Sequence, residues 1–157
     1  MHQPKTDTAQ LPFPPPFVFL TFLIIGSILS AIIPIDLQIP IGLRLLLGVA
    51  LLAIGFFIAS RAIRVMMHAR TPVDPFEPTT AIVSEGPYRF SRNPIYLALS
   101  IVYLGLAIAL NAVWAIIIWP LVFIAVTYLI IVCEEKYLEA KFGDVYMQYK
   151  SKVRRWI

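Results

Sequence analysis

The sequence predicts an all-α, polytopic membrane protein with four transmembrane helices and a C-terminal cytoplasmic amphipathic helical tail. Three observations predict it. Hydrophobic residues fill 59% of the positions and charged residues only 14%, against roughly 25% charged in a soluble domain, so the chain lacks polar surface to cover itself in water. Four apolar runs have lengths near that of a bilayer crossing. The basic residues gather in two stretches that flank those runs, a bias that orients membrane proteins. The 157 residues make one domain, 1–157.

The first run, residues 17–35, ends at the Pro34 and Pro40 region. Only Lys5 precedes it as a basic side chain, and the run is too long for a typical signal-peptide core, so a retained span is favoured over a cleaved leader. The second, 41–60, can continue as helix through Arg61, Arg64 and His68. The third, 95–110, is short, roughly 24 Å at ~1.5 Å per residue, which draws the turn at Asn111 toward the far interface. The fourth, 112–132, carries Pro120, which removes a backbone hydrogen bond and bends the helix. Trp114 and Trp119 are expected to anchor the far side. Gly55 and Ala59, and again Gly105 and Ala109, place small residues four apart for close helix packing.

Orientation follows from the cations. Arg61, Arg64, Arg70, Arg89 and Arg92 lie between runs two and three, and Lys136, Lys141, Lys150, Lys152, Arg154 and Arg155 follow run four. The opposite side has only Arg44 near a span end. Both termini and the long connection are therefore expected in the cytoplasm, on a multi-pass integral membrane protein. The net charge of +4 follows from this flanking pattern; it makes no separate patch for nucleic acid. Cys133 is the lone cysteine, which excludes an intrachain disulfide.

The tail divides into two helical pieces. One covers residues 134–142 and stops at Gly143, a suitable C-terminal cap; the other starts at Asp144, a suitable N-cap. Val145, Tyr149, Val153 and Trp156 recur every three or four residues as an apolar stripe toward membrane or bundle.

Two polar blocks bracket the last pair of runs, so two crossings return them to one membrane face. The first reads Gly86-Pro87-Tyr88-Arg89-Phe90-Ser91-Arg92-Asn93-Pro94-Ile95-Tyr96. Pro94 suits a first helical position and Asn93 can cap it, which leaves free N–H groups beside Arg89 and Arg92, a receptor for a carboxylate or phosphate. The second block opens on Cys133-Glu134-Glu135-Lys136. Adjacent carboxylates at a membrane helix end are costly. They either pair with Arg89, Arg92 or Lys136, or they receive a ligand's ammonium, hydroxyl or sulfonium groups. S-adenosylmethionine carries a carboxylate, an ammonium, ribose hydroxyls and a sulfonium, and so suits arginines on one wall and acids on the other. No metal-ligand cluster is read.

These residues carry a family resemblance. "GPYRFSRNPIY", followed after a hairpin by "EEKYLEAKFGDVYMQYKSKVRRW", resembles the isoprenylcysteine carboxyl methyltransferase family and its phospholipid-methyltransferase-like relatives over residues 75–157. The family's R-H/N-P-x-Y element corresponds to Arg92-Asn93-Pro94-Ile95-Tyr96, and its paired acids to Glu134-Glu135; the eukaryotic pattern usually has histidine where Asn93 stands. The resemblance implies an S-adenosylmethionine-dependent membrane methyltransferase whose lipophilic or lipid-modified acceptor (an isoprenylcysteine-like carboxylate or a lipid amine) reaches the cytoplasmic face from the membrane lipids. It implies catalytic roles for Arg89, Arg92 and Glu135, and cofactor contacts from Tyr88, Arg92, Asn93, Pro94, Tyr96, Glu134 and Glu135. Arg154 is a further candidate. The competing reading is a small non-catalytic membrane scaffold or a transporter; no Asp, Glu, Lys or His falls inside the four runs, which argues against a proton-coupled transporter.

Overall fold

Prolines decide where the first helix begins and ends. The computed structural model describes residues 7–157, and every regular element among them is helical. Helix α1 (Pro15–Ile32) opens on Pro15 and Pro16, whose missing N–H groups cost nothing in a first turn. It closes at Ile33 (φ −122°, ψ 82°), because the residue before a proline is pushed out of helical space. The expected span, 17–35, is thus shifted toward the N-terminus by two to three residues. Helix α2 (Ile41–His68) runs unbroken for 28 residues past its arginines, as the sequence predicts. Both helices are long and apolar enough to cross a membrane. Leu20, Ile28, Leu46 and Phe56 stand exposed on them, an apolar surface suited to lipid.

Helix α3 (Pro94–Ala109) returns antiparallel along α2. Glycines set the distance between the two. A β-carbon on Gly55 would lie 2.6 Å from Val102 Cγ2 and 2.9 Å from the Ala98 carbonyl, and one on Gly48 would lie 2.9 Å from the Gly105 carbonyl. The seam thus recruits Gly48 in addition to Gly55, Gly105 and Ala109.

The fourth apolar run is broken. Helix α4 (Val113–Ile117) stops at Ile118, one residue before Trp119-Pro120 restarts the chain as α5 (Trp119–Val126), and Leu121 N–H bonds back only to Ile118 O. A wide π turn follows (Thr127–Ile131) and leads directly into α6 (Val132–Phe142). The core lies along this line, with Val122, Val126, Ile130 and Ile131 packed around Tyr103 and Ala107 of α3. Trp114 Nε1 donates to Ile33 O at 2.9 Å. Trp119, expected at the far interface, is turned inward and donates to the buried Ser100 Oγ at 2.8 Å, because burial of an indole demands a partner for its N–H.

Gly143 ends α6 at φ +50°, a conformation open to glycine, and α7 (Asp144–Lys152) follows. Asp144 is the first helical residue and makes no capping bond; Gly143 holds the cap position. The expected stripe on this helix divides: Val145 is exposed, while its neighbour Tyr146 is buried. Trp156 packs on Phe123 with ring centroids 4.4 Å apart.

The connections sort to two ends. At one, Leu37 N–H donates to Asn111 Oδ1 at 3.2 Å, which joins the α1–α2 and α3–α4 turns. At the other, the segment before α1, the long α2–α3 connection, and α6 with α7 assemble together, and both polar blocks meet there.

Candidate functional site

Arg92 organises the polar end. It leaves the short 3₁₀ turn Gly86–Arg89 just before α3, and its planar fork reaches three groups at once. Nη1 donates to the carbonyls of Lys150 (3.0 Å) and Val153 (2.9 Å), and Nη2 donates to Glu135 Oε1 at 2.7 Å. Arg155 completes the cluster, with Nε to Glu135 Oε1 at 2.9 Å and Nη2 to Oε2 at 2.7 Å. Both oxygens of Glu135 are therefore held by guanidinium groups. Burial alone would raise its pKa, but the bonds from Arg155 and Arg92 outweigh this and hold the carboxyl below its ordinary range.

Backbone contacts tie the tail to the same place. Arg92 N–H donates to Arg154 O at 3.0 Å, and Asn93 Nδ2 donates to Arg155 O at 2.9 Å. Asn93 does occupy the cap position of α3, but its side chain is spent on the tail and makes no capping bond. The side chain of Arg154 is exposed, and only its carbonyl takes part.

Glu134 faces different surroundings. It lines a cavity of about 280 Å³ together with Arg92, Asn93, Pro94 and Tyr96. Its Oε1 accepts from Tyr96 Oη at 2.5 Å. Burial pushes its pKa up to about 7; the Tyr96 bond draws it down and the neighbouring Glu135 charge raises it. Arg92 also borders the cavity, and its Nε is buried with no hydrogen-bond partner among the described residues. A buried donor without a partner and an acid of altered pKa at one cavity make it the candidate functional site.

Tyrosines form much of the remaining lining. Tyr88, Tyr96, Tyr137, Tyr146 and Tyr149, five of the chain's seven tyrosines, border the cavity. Tyr149 Oη donates to Tyr88 O at 2.8 Å, which clips α7 to the 3₁₀ turn. Burial raises the Tyr146 phenol to about 12 and lifts Tyr88 and Tyr149 as well, so all three stay neutral donors. The connection around residues 72–83 forms a roof and Pro15 and Pro16 a side wall. Tyr137 Oη ties the roof to the N-terminal segment, accepting from Thr79 N–H at 3.1 Å and donating to Asp7 O at 2.9 Å.

Of the residues singled out in the sequence, Tyr88, Arg92, Asn93, Pro94, Tyr96, Glu134 and Glu135 all border this one cavity. Arg89 stands exposed and outside its lining. Sequence reasoning missed Tyr137, Tyr146, Tyr149 and Arg155. Their signal was there: tyrosines crowd the two polar blocks and are nearly absent from the spans. Among the described residues no cluster of His, Cys, Asp and Glu could hold a metal ion.

The profile of the phospholipid methyltransferase family matches residues 43–145, about two thirds of the chain. The chain belongs to the phospholipid methyltransferase family. The match begins in α2, well before residue 75, where the sequence resemblance starts, so α2 is part of what the family shares. A 24-residue stretch is 71% identical to an uncharacterized protein of Haemophilus influenzae (strain ATCC 51907 / DSM 11121 / KW20 / Rd), covering 15% of this chain and 38% of that protein. The chain thus spans under two fifths of the curated relative it matches. No solved structure matches.

Proposed function

We propose that this protein is an S-adenosylmethionine-dependent methyltransferase that acts on a lipophilic acceptor at the cytoplasmic face of a membrane. The observation that carries the reading is the meeting of Arg92 and Glu134, a cation and an acid, on the wall of one cavity. In this reading α1 and α2 cross the bilayer, and α3 and the α4–α5 line make a second hairpin. Both termini and the cavity then lie on the cation-rich, cytoplasmic side.

The residues present fit the cofactor. Arg92 brings a guanidinium to the cavity wall, a charge that a carboxylate complements. Glu134 offers a carboxylate to an ammonium or to ribose hydroxyls, and the tyrosine faces suit a cation. Bound S-adenosylmethionine supplies an electrophilic methyl group on a sulfonium centre. The chain's own part is to bind, align and shelter. Glu135, held by Arg92 and Arg155, fixes the guanidinium of Arg92 at the edge of the cavity. Asn93 and Pro94 fix the start of α3, from which Tyr96 reaches Glu134. The roof at 72–83 and the tail exclude bulk water. Arg89, exposed just before the residues that line the cavity, would meet the acceptor's charged end. A carboxylate acceptor needs no proton removed; an amine must arrive neutral, and Glu134, the acid on the cavity wall, can take a proton from the methylated product. The apolar wall at Pro15, Pro16 and Leu99 suits a lipid chain.

The test is calorimetric titration of the purified protein, in lipid or mild detergent, with S-adenosylmethionine and S-adenosylhomocysteine, followed by transfer of a labelled methyl group to lipid extracts. Saturable binding with label in the lipid phase is expected. No binding overturns the reading in favour of a scaffold, and substrate flux in proteoliposomes without binding would favour a transporter.

A further inference from the structure

A second recess opens on the other side of the cavity roof. It has a volume of about 530 Å³ and lies between the end of α2, with Arg61, Arg64 and His68, and the segment carrying Ser84 and Glu85. Ile82 and Val83 separate it from the cavity described above, since they line both. We propose that this recess binds the phosphate of an anionic phospholipid.

The argument rests on one stripe of α2. Residues 54, 57, 61, 64 and 68 follow the spacing of a single helix face. Ile54 and Phe57 are exposed, and one turn later the same face becomes Arg61, Arg64 and His68. An apolar strip running into three nitrogen-bearing side chains is the outline of an acyl chain below a headgroup. A free phosphate would use only the upper half.

The cations are available for such a ligand. Arg92, Arg155, Lys141 and Lys150 each bind a carboxylate, whereas among the described residues no ion pair involves Arg61 or Arg64. Arg64 Nε donates to Ser60 O at 3.2 Å, which steadies the side chain and leaves its terminal nitrogens for phosphate oxygens. His68 Nδ1 lies 3.1 Å from Arg64 O. A carbonyl only accepts, so Nδ1 carries the proton, and Nε2 of that tautomer accepts from a headgroup hydroxyl while Arg61 and Arg64 take the phosphate. Glu85, on the facing wall, disfavours a second anion and can accept from a headgroup hydroxyl. Basic recesses of this kind at the cytoplasmic boundary hold anionic headgroups.

The experiment is native mass spectrometry of the full chain in a non-ionic detergent, titrated with phosphatidylglycerol or with phosphatidylcholine. Preferential retention of phosphatidylglycerol is expected. Arg61→Gln with Arg64→Gln should reduce that retention roughly 10- to 30-fold, at about 1 kcal/mol per basic residue. A matched double variant outside the recess, Arg70→Gln with Lys152→Gln, should leave it unchanged. Arg61→Lys with Arg64→Lys should keep most of it, which also shows that a loss in the glutamine variant is not misfolding. Equal retention of the two lipids overturns the proposal, as does equal loss in both glutamine doubles. Displacement of the lipid by glycerol phosphate at equal concentration would make a free phosphate the ligand, and would overturn it too. None of these readouts depends on methyl transfer, so the result stands apart from the function proposed above.

Discussion

Glu134 and Glu135 are neighbours in the chain and opposites in the fold. The region around Glu135 is closed: two guanidinium groups occupy its oxygens, and Arg92 carries on from there to the tail carbonyls. The region around Glu134 is open, with one phenol on its carboxylate and a cavity beyond it. Opposite environments drive the two acids' pKa values apart, one below its usual range and one up to about 7. The difference teaches that paired acids need not share a task. One holds the architecture, while the other has no cationic partner among the described residues.

The comparison can be broken at its structural half first. Arg92→Ala removes a buried partner of Glu135 and two tail anchors, and should cost about 3 kcal/mol or more. Denaturant unfolding in detergent reads the loss, and limited proteolysis should release residues 150–157. A change below about 1 kcal/mol would mean that the cluster is ornamental.

Next comes the open half. Glu134→Gln should leave the tail protected yet weaken S-adenosylmethionine binding by roughly 10- to 100-fold, the worth of one charge-assisted hydrogen bond. Loss of stability without loss of binding would reverse the assigned roles.

The pH dependence sharpens the contrast. Binding of a cationic group at Glu134 should strengthen as pH rises through about 7, where the carboxyl ionises. Stability should move the other way. A folded-state pKa above the ordinary 4.5 means that the native protein holds the proton more tightly. Stability therefore declines as pH climbs from about 4.5 toward 7, and Glu134→Gln should flatten that decline. Tyr96→Phe removes the bond that lowers this pKa, so the binding midpoint should move to higher pH. A midpoint that stays fixed in both variants would assign the titration to another group.

The smallest effect belongs outside both regions. Lys141 pairs with Asp7 at 2.7 Å on the surface. Lys141→Ala should cost at most about 1 kcal/mol and leave cofactor affinity unchanged.

Much of this was legible in the sequence, for reasons that differ by residue. Pro94, Pro120 and Gly143 announce a helix start, a bend and a stop because their backbone chemistry acts locally; Pro15, which starts α1, is passed over for the apolar run at 17. The motif residues from Tyr88 to Tyr96 and the acids at 134 and 135 are also readable, since each block is contiguous. What was hidden depends on tertiary placement. Nothing local says that Asn93 forgoes its cap to hold Arg155 O, or that Arg155 rather than Arg89 completes the cluster. The stripe Val145, Tyr149, Val153 and Trp156 misled at its first residue, because α7 turns Tyr146 and Tyr149 to the cavity and leaves Val145 exposed. Trp119 misled in the same way: the break at Pro120 swings it toward Ser100.

The π turn at 127–131 sets which acid looks where. A wide turn accommodates about one residue more than an α turn, and each residue rotates an α-helix by about 100°. Removing a single amino acid from Thr127-Tyr128-Leu129-Ile130-Ile131 would thus spin α6 by more than a quarter revolution, carrying Glu134 off the cavity without altering any charged side chain. In that stretch, spacing works as a dial, and the chemistry downstream is tuned by length before it is tuned by residue type.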